Sequence, residues 1–180
     1  VLRSGGDFLP EHVQRLARMV PGLVALSDVP VPGVPTIPLE HDWPGWWAKI
    51  EICRPDIAGD VFYVDLDTTI LRMPDMPGSD TCLTDFGDPA VIGSGMLYLT
   101  ERTRRAMWDE FMANPDLRML MHQKWPAGDQ GFMLPFLRNA KRWQHLCRVY
   151  SWKIHCKRGV PADADVVCFH GKPRPWEVGF

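Results

Sequence analysis

The run FYVDLDTTI, Phe62–Ile70, constrains this chain most. An apolar, β-prone segment is followed at once by two carboxylates one residue apart and then by two hydroxyls. In an extended chain, residues i and i+2 point to the same face. Asp65 and Asp67 would therefore stand side by side at the end of a strand. Like charges held that close repel unless a cation, a shared proton or water compensates. A buried strand ending this way needs a polar environment at its carboxyl end. In open α/β sheets, ligands bind at that end.

The rest of the chain supplies the matching elements. Pro10–Val20 reads as a helix, with proline in its first turn and Val13, Leu16, Ala17 and Val20 on one face. Leu23–Leu26, Val61–Val64, Met96–Leu99 and Val166–Phe169 read as strands. The proline-rich stretch from Asp28 to Pro44 reads as extended edge or loop chain. Trp46, Trp47, Ile50 and Cys53 mark an amphipathic helix between Pro44 and Pro55. Arg102–Ala113 and Gly128–Ala140 complete the helices, the second with a kink expected at Pro135. Strands alternating with helices predict a single-domain α/β sandwich with a mostly parallel central sheet flanked by helices. Within 1–180, the expected division is a nucleotide-binding half at about 1–75 and a sugar and acceptor half at about 76–180.

The composition is globular: 180 residues, 46% hydrophobic, 23% charged, net charge −2. That suits one domain with a real core, and no apolar run has the length of a membrane span. Five cysteines without CxxC spacing read as reduced thiols, which places the expected setting in a cytoplasm-like compartment.

Oxygen ligands grouped like Asp65 and Asp67, with Thr68 and Thr69 behind them, suit Mn²⁺ or Mg²⁺, which bind through carboxylates and substrate phosphates. Far downstream, FHGKPRPWE (Phe169–Glu177) follows the last strand. There His170 is a candidate third ligand. Gly171 would let backbone approach a phosphate, and Lys172 and Arg174 carry matching charge.

These segments, with three others, resemble a GT-A-fold, nucleotide-sugar glycosyltransferase of the glycogenin and bacterial galactosyltransferase group. The five motifs occur in order: WWAKIE with Lys49, DLD with Asp65 and Asp67, GSGMLYL with Ser94 and Gly95, GDQGF with Asp129 and Gln130, and HGKPRPW. Two positions depart from the group's pattern: Arg174 stands where a lysine is expected, and Pro126 where members often carry an acid.

The resemblance implies a metal-dependent transfer of a sugar, UDP-linked and with retained anomeric configuration, from a nucleotide diphosphate to a hydroxyl acceptor. Asp65, Asp67 and His170 would hold the Mn²⁺ or Mg²⁺. Arg3, Ser4, Asp28, Lys49, Leu66, Gly171 and Lys172 would contact nucleoside and phosphates. Ser94 and Gly95 would border the donor sugar, with Asp129 and Gln130 as catalytic residues beside its anomeric carbon. Two other readings stay open. One is a haloacid-dehalogenase-like phosphatase with Asp65 as nucleophile and Asp67 as acid/base. The other is a non-catalytic nucleic-acid-binding domain.

The acceptor is addressed by charge. No acidic residue lies between Gln130 and Ala162, whereas Arg138, Lys141, Arg142, Arg148, Lys153, Lys157 and Arg158 do. They interleave with Trp143, Tyr150 and Trp152, a pattern that fits a polyanion groove with stacking aromatics. Arg142, Trp143, Trp152 and Trp176 are the acceptor candidates. A hydroxymethylated DNA base, a lipid or a saccharide would each fit, and an ordinary solvated basic face is the competing explanation. Trp46 and Trp47 fit a core-facing role, and Trp176 either core or lid.

Overall fold

A computed structural model describes all residues, Val1–Phe180. In chain order, the first elements are helix α1 (Pro10–Ala17) and strands β1 (Ala25–Ser27) and β2 (Thr36–Pro38). A 3₁₀ helix covers Gly45–Cys53, followed by β3 (Val61–Val64), β4 (Thr68–Ile70), β5 (Thr81–Thr84) and β6 (Ile92–Leu99). Helices α2 (Glu101–Met112), α3 (Pro115–Met121) and α4 (Gly128–Leu137) come next. The chain ends with β7 (Lys141–Arg142), β8 (Val149–Ser151), α5 (Trp152–His155) and β9 (Val166–Cys168), plus 3₁₀ turns at Trp143–His145 and Pro175–Glu177. No helix is long and apolar enough to cross a membrane.

The fold is α/β, with its strands spread over three sheets of two, four and three strands. Strand directions are mixed: β1–β2, β5–β7 and β8–β9 run parallel, while β5–β6 and β4–β9 run antiparallel. The mostly parallel central sheet expected from the sequence is therefore not what these strands form. The C-terminal strand β9 enters between β4 and β8, antiparallel to the first and parallel to the second, so the sheet it completes is mixed.

The chain divides into two compact units. One comprises Val1–Pro38, Val64–Asp75 and Trp143–Phe180, and the other Leu39–Tyr63 and Met76–Arg142. Both chain ends belong to the first unit, so the two units interleave along the sequence.

In the first unit, Leu2 bridges to Ser27 and donates its N–H to Leu26 at 2.8 Å. This sets the opening residues beside β1. The three-stranded sheet β4-β9-β8 carries a core of Cys156, Ala164, Val167 and Phe169, closed by Tyr150, Trp152, Val160 and Phe180. Ser151 caps α5 by accepting from the Ile154 N–H.

In the second unit, β6 is the spine of the sheet β3-β6-β5-β7. Ile92, Met96, Leu97 and Leu99 on β6 are fully buried. Trp43, Phe111 and Phe132 pack edge to face, with centroids 4.8 and 5.2 Å apart. The segment expected to be an amphipathic α-helix is the 3₁₀ helix Gly45–Cys53. Every residue from Trp47 to Cys53 is buried, so no polar face is left to solvent and the tighter helix seats all sides. Thr100 caps α2, and Asp80 accepts from its N–H at 2.7 Å and from the Thr103 hydroxyl at 2.6 Å.

All five cysteines are free. Burial raises every thiol pKa, to about 11 for Cys82 and Cys147, so at neutral pH these side chains behave as small hydrophobes.

Arg104, 0% exposed on α2, donates to the carbonyls of Ile52, Arg54, Ile57 and Gly59. It thereby fixes the exit of the 3₁₀ helix. Arg104→Met leaves those acceptors without a donor, each worth about 1–3 kcal/mol. The expected loss in urea unfolding exceeds about 3 kcal/mol, and a loss below about 1 kcal/mol would contradict this role.

Candidate functional site

In the first unit, the chain leaves β3 at Val64 and turns through Asp65–Leu66–Asp67 into β4, with the Thr68 N–H donating to the Asp65 carbonyl at 3.0 Å. Strand β4 pairs antiparallel with β9 in the register Thr68↔Cys168. The Phe169 N–H then donates to the Asp67 carbonyl at 3.2 Å. That register delivers Gly171 to the Asp67 side chain. The Gly171 N–H donates to Asp67 Oδ2 at 3.3 Å, across 104 residues of chain.

Arg174 makes a hydrogen-bonded ion pair with the same oxygen through Nη1. Its Nη2 lies 3.5 Å from Asp7, and its Cζ lies 4.6 Å above the Phe8 ring. Asp67 is 7% exposed, so the pair is largely desolvated.

The turn is held from below by Arg15, a residue with no obvious sequence signal beyond being a charge on a helix of otherwise ordinary pattern. Buried on α1, it donates to the carbonyls of Leu66 and Thr68, to the Thr69 hydroxyl and to the Phe180 carbonyl. Burial, helped by Arg18 and opposed by Asp67, lowers its pKa to about 10, which leaves it protonated at neutral pH.

His170 has a left-handed backbone, φ 33°, and Gly171 follows at φ 103°. The His170 Nε2 is 2.6 Å from Ser151 Oγ, and Lys153 Nζ donates to the His170 carbonyl at 2.9 Å. A Cβ at Gly171 would sit 3.1 Å from that ammonium, so glycine keeps this approach open.

Arg3, Ser4 and Asp28, named separately from the sequence, meet at the chain's start. Asp28 accepts from the Ser4 N–H at 2.8 Å and from its hydroxyl at 2.5 Å, with Arg3 at 3.7 Å. Burial pushes the Asp28 carboxyl up, but the Ser4 bonds and Arg3 outweigh it and hold it below the usual range.

In the second unit, Lys49 points at Asp129, with 2.8 Å between Nζ and Oδ2. This is an ion contact without an aligned hydrogen bond at that oxygen. Lys49 also donates to Ser94 Oγ at 3.2 Å, and its ammonium lies 5.3 Å over the Tyr63 ring. Both charges are buried, at 7% and 6% exposure. Gly95 follows Ser94 on β6, and Gln130 donates to Asp85 at 3.3 Å.

Lys49, Ser94 and Asp129 are thus brought together as one buried cluster. Lys49 in this arrangement serves Asp129, where the sequence suggested a phosphate contact. Two glycines flank Asp129 at the start of α4 in close packing. A Cβ at Gly128 (φ 65°) would strike Trp46 at 2.2 Å, and one at Gly131 the Pro126 carbonyl at 1.9 Å.

The acceptor residues expected from sequence are not gathered into a stacking surface. Trp143 is 0% exposed and belongs to the core. Trp152 stacks on Phe169 with centroids 4.9 Å apart, and Trp176 stacks on His12 at 3.6 Å. Arg142 donates back to the carbonyls of Leu137, Arg138 and Ala140. Arg138, Lys141, Lys153, Lys157 and Arg158 are exposed.

The metal set also differs from expectation. No three or more His, Cys, Asp or Glu side chains are grouped to hold a metal ion. Asp65, Asp67 and His170 do not fit one as they stand, because Arg174 already occupies the inner oxygen of Asp67. No known protein-family model matches this chain, and no curated protein matches it.

His12 supplies a pH test of the first unit. Its Nδ1 accepts from the Leu9 N–H at 2.9 Å, and burial lowers its pKa below 6.5, with Arg15 and Arg174 acting in the same direction. A lowered histidine binds fewer protons folded than unfolded, so its contribution is present at neutral pH and lost as pH falls below the unfolded value, about 6.5. The melting-temperature advantage of wild type over His12→Asn should shrink from pH 7.5 to pH 5. An advantage that grows on acidification would contradict a neutral buried imidazole.

Proposed function

We propose that this chain is a glycosyltransferase that moves a sugar from a nucleotide diphosphate-sugar to a hydroxyl acceptor. The observation that carries the reading is the meeting of DLD with HGKPRPW. Two segments more than a hundred residues apart, each weak alone, converge on the Asp67 carboxylate through Gly171 and Arg174. A phosphatase with Asp65 as nucleophile gives HGKPRPW no role, whereas a diphosphate site uses its glycine and its cations together.

Roles follow from chemistry. Lys172, exposed beside Gly171, meets phosphate oxygens. Asp28, organised by Ser4 and Arg3, offers acceptors to a nucleoside. In the second unit, Asp129 lies against the Lys49 ammonium, and with Gln130 and Ser94 it suits the hydroxyls of a sugar. UDP is the donor nucleotide that the resemblance favours. The exposed lysines and arginines of 138–158 favour an anionic acceptor, nucleic acid or lipid, over a neutral saccharide.

A ligand that binds only the native state raises its melting temperature by mass action. Among UDP-, GDP-, ADP- and CDP-sugars, one nucleotide class should stabilise the protein, and Lys172→Ala should weaken that shift. The same donor should release its nucleoside diphosphate in the presence of acceptor, with Asp129→Ala reducing turnover at least about tenfold. Stabilisation by none of the donors, with phosphate released from a simple ester, would overturn the transferase in favour of the phosphatase.

A further inference from the structure

We propose that Arg174 is the resident cation of the Asp65–Asp67 turn, and that Lys153 and Lys172 beside it receive a diphosphate without a divalent metal. The inference rests on the diphosphate reading above, and it reassigns the charge that the reading took from Mn²⁺ or Mg²⁺.

A metal held by paired carboxylates needs their oxygens. The inner carboxylate, Asp67, spends Oδ2 on the Arg174 guanidinium and on the Gly171 N–H. Arg174 is not a surface side chain that steps aside. Its side chain is 15% exposed, with Asp7 and the Phe8 ring on its other sides. Its backbone N–H donates to Glu177 Oε2 at 2.6 Å. Prolines flank it, Pro175 is buried, and Trp176 is stacked on His12. Pulling the guanidinium off Asp67 would break a largely desolvated ion pair, which is unfavourable. A metal would have to meet that cost before making its first bond.

The charges that remain favour an anion. The Lys153 ammonium reaches the His170 carbonyl and sits 3.1 Å from where a Gly171 Cβ would be. The backbone there is open on the side that faces the ammonium. Lys172 follows in the chain, exposed. Arg15 adds a buried positive charge beneath the turn. A divalent ion at a diphosphate neutralises and orients it. A fixed guanidinium that neutralises Asp67, with Lys153 at the His170 carbonyl and Lys172 next to Gly171 in the chain, supplies the positive charge for both tasks. Lys153 is the residue that this placement adds to the site, since nothing in its sequence context separates it from the other cations of the basic segment.

The test uses two probes, inorganic pyrophosphate and a panel of nucleoside diphosphates, each titrated calorimetrically in EDTA and in Mn²⁺. Free Mn²⁺ is followed separately by its electron paramagnetic resonance signal. The expected result is binding that EDTA changes by less than about threefold, weakened about tenfold in Lys153→Ala, with Mn²⁺ left free by the wild type. Arg174→Ala, which leaves the Asp67 charge uncompensated, should weaken pyrophosphate binding at least about tenfold, and Arg174→Lys, which keeps the charge, should restore part of it. Rescue by charge is a result that a merely structural arginine would not produce.

Nucleotide binding that needs Mn²⁺, or a wild-type Mn²⁺ site lost in Asp67→Ala, overturns this proposal while leaving the transferase standing. Pyrophosphate bound in EDTA with no nucleotide bound supports the site and removes the nucleotide reading. Binding of neither probe overturns both.

Discussion

The ion pair between Asp67 and Arg174 is the contact on which the first unit's candidate site depends. A carboxylate with 7% exposure is costly to bury alone. Here it is compensated by a guanidinium and a backbone N–H, both from the C-terminal segment. The compensation is reciprocal. Asp67 needs HGKPRPW for charge, and that segment, with two prolines and a 3₁₀ turn, needs an anchor because it has no strand of its own. The β4–β9 register sets the two within reach, and Arg15 fixes the turn by satisfying its carbonyls. Removal of any one of these contacts leaves a buried polar group without its partner.

The second unit solves a similar problem in its own way. Lys49 and Asp129 are buried together, with Ser94 and the Tyr63 ring completing the ammonium's surroundings. A buried pair of this kind contributes little net stability compared with an apolar pair, but breaking it is expensive. Its value lies in orienting Asp129 at the start of α4, where Gly128 and Gly131 permit close packing that no larger residue allows.

Much of this was legible in the sequence, for physical reasons that can be named. Val61–Val64 was readable as a strand because it is an uninterrupted β-prone run, and the DLD turn because charge cannot continue it. Helices α1 and α2 follow from their periodicity and their starts. The strands β4, β5 and β8 were not readable, since three or four residues show no periodicity. The WWAKIEIC segment was misread because apolar residues at helical spacing do not reveal that the other faces are buried too. The basic segment misled in another way. Trp143 and Trp152 lie among cations in sequence, yet a core needs aromatics, and cations leave them for solvent. The pairing of Arg174 with Asp67 depends on a register between β4 and β9 that no local pattern encodes.

The central claim is that DLD and HGKPRPW form one coupled unit through the Asp67–Arg174 contact. A double-mutant cycle on unfolding free energy, with Asp67→Ala, Arg174→Ala and both together, measures that coupling directly. Coupling of about 1–3 kcal/mol, with the double variant less destabilised than the sum of the singles, is the predicted result. Additive effects, with coupling below about 0.5 kcal/mol, would contradict it and separate the two motifs that the functional reading joins.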